Sequence, residues 1–400
     1  MVAGARSAVE GLRGALRARP RRAAFLGVFA ATLTVFLAIG AVLPILPRYV
    51  QGPLGSGDVA VGIVVGAFAF SAVAGRPIGG RWADAHGRKR IVTAGMAICV
   101  VAGLLYLLPL GVPGLVAARL VLGVGDGWVF TAGLSWILDL APEERRGQAI
   151  GVFGLSIWGG LAVGPLLGDA VFRVGSYDAV WLLAAALPLL GLAIARQVPD
   201  AHVAVPAARG AGSWLPRGVV APGLALGLAN VGYGTMAGFV VLLLADAGVD
   251  GGAAVFTAFA TAVVLARVAL ARLPDALGPR ATAAGAGVAE AAGLAILAVA
   301  GSLPVALAGA IVMGLGFSLL FPSLALVAVQ RTGEHQRATA LGAFTAFFDV
   351  GVGLGAPIAG AVSAAAGYEA AFLAAAAVAA AGVLVGLAIP PAGSSTGARA

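Results

Sequence analysis

The 400-residue sequence holds one cysteine, three histidines and a single lysine, and only 10% of its residues are charged. One thiol, Cys99 in an apolar stretch, supports no disulfide framework. A phosphate-cradling loop needs a lysine directly after glycine, and the lone Lys89 follows Arg88, so no nucleotide-binding loop is present. His86, His202 and His335 all fall between apolar stretches and no HExxH occurs. Neither a metal site nor an enzyme is therefore expected, and no cofactor is implied. The shortage of charge excludes most, because average soluble domains carry about 25% charged residues.

Long apolar runs take the place of charge: 60% of the residues are hydrophobic and the mean hydropathy is +1.02. A helix needs about 20 apolar residues to cross the hydrocarbon core of a bilayer. Twelve such runs lie near 23–47, 59–80, 91–110, 114–138, 148–171, 178–196, 218–244, 251–271, 281–300, 303–329, 339–362 and 369–390. They are continuous rather than alternating, which excludes a β-barrel, and only helices satisfy their own backbone groups in lipid. The expected class is an all-α, polytopic membrane protein. The first run follows Arg13, Arg17, Arg19, Arg21 and Arg22, as a signal peptide would. It is too long for one and eleven runs follow it, so it reads as a retained helix.

A net charge of +8 raises the question of anionic partners. Of the 25 lysines and arginines, 20 fall in the tails and in alternate loops, and only Arg48 and Arg173 fall in the other loops. Arg76, Arg119 and Arg267 lie within or at the edges of runs. This bias puts both termini on the cytoplasmic side of a bacterial-type inner membrane and leaves no surplus that requires nucleic acid.

The runs repeat. A shift of 191 residues carries Arg76 onto Arg267, Arg81 onto Arg272, Asp84 onto Asp275, Gly87 onto Gly278, Gly123 onto Gly314 and Gly125 onto Gly316. It also carries Glu143 onto Glu334, Arg146 onto Arg337 and Gly151 onto Gly342, after which a one-residue slip aligns Pro165 with Pro357 and Gly168 with Gly360. The chain thus divides into a tail (1–22), a six-helix bundle (23–196), a Pro-, Ala- and Gly-rich linker (197–217), a second six-helix bundle (218–390) and a tail (391–400). Two parallel halves predict a substrate cavity between them near the midplane, opened alternately to each side by rocking.

The loop after the second run reads Gly80-Arg81-Trp82-Ala83-Asp84-Ala85-His86-Gly87-Arg88-Lys89-Arg90 and is echoed around Asp275. It resembles motif A of the major facilitator superfamily. Arg119 to Gly125 resembles that family's motif B, with Leu122 where glutamine is common, and Gly160 to Gly168 resembles motif C, with Asp169 in place of the usual final glycine. The resemblance covers nearly the whole chain and points to the twelve-helix drug:proton antiporter group. It implies a gate at Gly80, Asp84, Gly87, Arg88 and Arg76, and an antiporter helix marked by Gly160, Gly164, Pro165 and Gly168. The glycine stripe serves helix packing equally well.

Ionisable groups at the bilayer centre cost about 2.5–3.5 kcal/mol by insertion scales, so those retained are candidates for function. Asp126 and Arg119 lie on one helix face about 10.5 Å apart along the axis, and the shift places Phe317 and Ala310 opposite them. A carboxylate that gains and loses a proton beside an arginine suits proton exchange, and a permanent ion pair is the alternative. Asp349, opposite Trp158, is the second coupling candidate, and Glu290, opposite Cys99, ranks lower. Asn230, Tyr233, Trp158, Phe317 and Phe348 are the candidates for contact with an apolar or amphipathic solute. The expected function is proton-coupled export of such a small molecule by a monomer embedded in lipid. Proton-coupled uptake and a non-transporting receptor or scaffold are the competing readings.

Overall fold

A computed structural model describes residues 2–200, 215–332 and 337–390, and all regular structure among them is helical. The first bundle comprises α1 (Val2–Val42), the short α2 (Leu46–Gln51), α3 (Asp58–His86), α4 (Arg88–Leu105), α5 (Gly111–Leu140), α6 (Arg146–Val174) and α7 (Tyr177–Gln197). The second comprises α8 (Arg217–Asp246), α9 (Gly252–Ala269), the short α10 (Leu273–Leu277), α11 (Pro279–Ala298), α12 (Leu303–Gln330) and α13 (Arg337–Ala388). Among the described residues, ten helical segments are long and apolar enough to cross a membrane. The 18-residue α4 opens on Arg88, Lys89 and Arg90, whose charges alone keep it out of that count, and the 52-residue α13 is two spans meeting at Gly367 (φ 86°, ψ 171°). Among the described residues the total is twelve crossings in two bundles of six, an all-α multi-pass membrane protein.

Several expected boundaries move; the second span runs on to His86 rather than stopping near 80, and the first helix ends at Val42 and is followed by the short α2. The third span stops at Leu105 rather than near 110, because Pro109 disfavours helical backbone at the residue before it. The gap expected at 363–368 is absent, since one glycine in a conformation closed to other residues turns α13 back on itself. Residues 201–214 of the expected linker, the tail 391–400, and His202, Glu334 and His335 lie outside the described residues.

The duplication is legible in atomic contacts. Gly87 (φ 100°, ψ 143°) ends α3 and Gly278 (φ 82°, ψ 150°) ends α10, a backbone region essentially reserved for glycine. In the first bundle a Cβ on Gly125 would stand 2.8 Å from the Gly95 carbonyl and 3.1 Å from the Cys99 amide. In the second, a Cβ on Gly316 would press on the Ala286 carbonyl and stand 2.6 Å from the Glu290 amide, the matching atoms after the 191-residue shift. The third and fourth spans of each bundle therefore pack backbone to backbone, as small residues allow.

The second span of each bundle packs on the fifth span of the other: α3 on α13 and α9 on α6. At the first contact a Cβ on Gly66 would lie 2.5 Å from the Gly353 carbonyl; at the second, the Thr257 hydroxyl donates to the Ala162 carbonyl at 2.7 Å. These are again shifted counterparts. The bundles close at the end that carries residues 52–57. There Gln51 Nε2 donates to Asp58 Oδ1 (2.6 Å) and to the Tyr368 hydroxyl (2.8 Å), which donates to Asp58 Oδ1 (3.0 Å). At the opposite end nothing lies within 4 Å of where a Cβ would stand on Gly147 or Gly151 of α6, or on Gly342 of α13.

These contacts generate a paired test. Gly316→Ala is expected to destabilise the protein by about 1–3 kcal/mol through overpacking. Gly342→Ala, in open space within a helix, should leave it unchanged or slightly more stable. Thermal melting of the two purified variants in detergent checks both.

Candidate functional site

Arg76, on α3, reaches across the bundle interface. Its Nη2 donates to Asp349 Oδ1 at 3.1 Å and its Nε lies 2.8 Å from Asp349 Oδ2, on α13 of the second bundle. The same Nη2 lies 3.7 Å from Asp126 Oδ2, on α5 of the first bundle. The guanidinium carbon is 4.3 Å from the centroid of the Phe130 ring, so the cation has carboxylates at its edge and an aromatic face against its plane. Asp126 is 2% exposed and Asp349 3%, and Asp126 Oδ1 has no hydrogen-bond donor. With both acids ionised, one cation between them would leave that contact with one negative charge in excess, and lipid cannot solvate the difference.

The cation in ion-pair contact with Asp126 is thus Arg76 and not Arg119. Seven residues from Asp126 on α5, Arg119 donates Nη2 to the Val65 carbonyl of α3 at 3.1 Å and lies over Phe68 at 4.8 Å. It is held inside the first bundle, with Nε and Nη1 unpaired. Glu290 of α11 is fully enclosed in the second bundle near Gly232 of α8, and both carboxyl oxygens lack partners. It stands apart from the bundle interface.

The aromatic candidates converge. Trp158 of α6 leaves its own bundle to meet Tyr233 (6.4 Å between centroids), Phe259 (6.2 Å) and Phe317 (5.3 Å) of the other, and Phe317 contacts Phe348 at 6.0 Å. Phe259 escaped the sequence reading. Its signal was present, because the shift matches it to Phe68, the ring beneath Arg119. Asn230 is buried and donates to the Leu226 carbonyl of its own helix at 2.8 Å, while its side-chain oxygen has no partner.

Motif A, expected as the loop after the second span, is helical: Gly80 to His86 belong to α3, Arg88 opens α4, and only Gly87 lies between them. Arg88 pairs with Asp84 and, through Nε at 3.2 Å, with Asp139 of α5, while Gly87 sets the turn between them and Gly80 lies within α3, where a Cβ would stand 3.2 Å from Thr131 of α5. Arg76 of the expected gate sits deeper, in the interface described above. Gly160, Gly164 and Gly168 press on Phe36, Gly40 and Ala41 of α1, one helical turn apart, with Pro165 inside the same helix. Asp169 accepts from Arg48 (3.2 Å) and Arg173 (2.7 Å), which ties α2 to α6.

Arg76→Gln would leave two buried carboxylates facing each other without their cation and is expected to cost about 3–5 kcal/mol. Adding Asp126→Asn and Asp349→Asn to that variant should recover most of the loss. Melting temperatures of the single and triple variants in detergent check the pair of statements.

Relatives agree with this architecture. The family profile described as Major Facilitator Superfamily matches residues 28–252 and 223–399. An uncharacterised MFS-type transporter of Salmonella typhimurium is 34% identical over 354 residues, covering 86% of this chain and 90% of that protein. Another, from Burkholderia mallei, is 34% identical over 345 residues, covering 84% of each. Among solved structures, a mutant of the nucleoside transporter NupG superposes with a TM-score of 0.79 at 15% identity, covering 91% of this chain and 99% of that one. The human organic anion transporter MFSD10 gives 0.69 at 17% identity, covering 92% and 99%. With profile and relatives spanning most of its length, and two six-helix bundles meeting at a charged interface, this chain belongs to the major facilitator superfamily of membrane transporters.

Proposed function

We propose that this chain is a proton-coupled exporter of apolar or amphipathic drugs or metabolites, working as a monomer by alternating access in a bacterial inner membrane. The observation that carries the reading is the placement of Arg76 between Asp126 of one bundle and Asp349 of the other. A proton on either carboxylate cancels the excess negative charge and changes how strongly one bundle holds the other. A carboxylate that binds and releases a proton there couples protonation to the rocking of the bundles, which is what ion-driven exchange requires.

The distribution of Lys and Arg supports placing both termini, and with them the open end at Gly147, Gly151 and Gly342, on the cytoplasmic side. A solute entering there reaches the rings of Trp158, Tyr233, Phe317 and Phe348, an apolar wall suited to amphipathic molecules. The motif C resemblance supports export over uptake. Motif A at Asp84 and Arg88 stands at the same open end, where a gate would close. Asp126 is the proposed proton carrier, Asp349 its partner across the interface, and Arg119 a fixed charge that braces α5 against α3.

The test is counterflow in proteoliposomes with a lipophilic dye and an imposed pH gradient. Asp126→Asn is expected to lose gradient-driven accumulation by at least about tenfold, the scale of a missing general acid–base group, while retaining dye exchange at equal pH. Full pH-dependent accumulation by that variant would overturn the assignment. The sign of accumulation in the wild-type protein reads the direction of transport.

A further inference from the structure

Arg267 and Arg76 hold matched positions. Arg76 stands ten residues before His86, where Gly87 ends α3, and Arg267 ten residues before Leu277, where Gly278 ends the short α10 that follows α9; each is on the second span of its bundle, which packs on the fifth span of the other. Their surroundings differ. Where Arg76 meets Asp126 and Asp349, the 191-residue shift supplies Phe317 and Trp158, whose rings are 5.3 Å apart. Among the described residues no carboxylate lies within ion-pair distance of Arg267, and its side chain has no assigned hydrogen-bond acceptor or ring beneath it.

Its guanidinium nonetheless lies against α6 of the first bundle. Nη1 comes within 3.5 Å of where a Cβ would stand on Gly154 of α6. Gly147, Gly151, Gly154 and Trp158 are spaced three and four residues apart and share one face of that helix. That face is unobstructed at Gly147 and Gly151 and ends at Trp158, which is 9% exposed and packs on Phe317. Arg267 is partly buried in the last turn of α9 without a counter-ion among the described residues, and an anion arriving there is attracted more strongly than in water.

We propose that Arg267 is an anion-binding subsite that takes the carboxylate, sulfonate or phosphate monoester of an amphipathic solute whose apolar body lies on Trp158 and Phe317. The solute supplies the negative charge that Asp126 and Asp349 supply to Arg76. The assignment rests on the reading that solute occupies the space between the bundles, and it narrows the substrate class to organic anions.

Two probes of equal shape test it, 4-tert-butylbenzoate and 4-tert-butylbenzamide, titrated calorimetrically into the purified protein. The benzoate is expected to bind at least about tenfold more tightly than the amide. Arg267→Gln should abolish that preference without weakening the amide, and Arg267→Lys should keep it. Gly154→Asp, which places a tethered carboxylate against the guanidinium, should also abolish the preference while raising the melting temperature, so the test survives poor folding of the glutamine variant. Absence of saturable benzoate binding, or a preference that persists in Arg267→Gln or Gly154→Asp, would overturn the proposal. Asp126-dependent accumulation of the dye is measured separately, so failure of the subsite is distinguishable from failure of the transport reading.

Discussion

A guanidinium in the middle of a membrane has to find its counter-charges within the protein, because lipid offers none. Arg76 finds them on two different bundles, and much of the surrounding architecture follows from keeping that contact closed to lipid. The second span must come close to the fifth span of the opposite half, which small residues at Gly62, Gly66 and Gly353 allow. The ring of Phe130 covers the exposed face of the cation. An arrangement of one positive and two negative groups is sensitive to a single proton in a way that a matched pair is not.

Duplication provided two such interfaces, and only one kept this chemistry. The packing of Gly125 and Gly316, and the approach of Gly66 to Gly353 and of Thr257 to Ala162, are the same contacts made twice. They belong to the scaffold. What differs between the halves is carried by side chains that need not be symmetric: carboxylates on one flank, aromatic rings on the other. Glu290 opposite Cys99 shows that divergence also reached the bundle interiors, away from the interface.

The spans, the two halves and the intramembrane carboxylates were legible in the sequence because hydropathy and a constant offset are local or nearly local signals. The partner of Asp126 was not. Arg119 shares its helix face, and helical spacing invites pairing the two, yet a separation of about 10.5 Å along the axis is too long for a direct ion pair. Arg76 lies fifty positions earlier on another helix, so its approach depends on the rotation of α3 against α5 and α13, which no periodicity of α3 records. Phe259 was passed over for a related reason: an aromatic residue in an apolar helix looks the same whether it faces lipid or a neighbouring bundle. The end of α4 was readable in principle from Pro109, but continuous hydropathy past it concealed the stop.

The turn at Gly367 has a mechanical consequence. With one residue joining the last two spans, the chain between Asp349 and Tyr368 is a continuous helix of about 28 Å, with Pro357 inside it, that ends in a single corner. Tyr368 clasps Asp58 and Gln51 at one face of the membrane, while Asp349 grips Arg76 at mid-depth. The clasp at the corner and the buried grip therefore sit on one helix, about five turns apart, and both tie it to the first bundle.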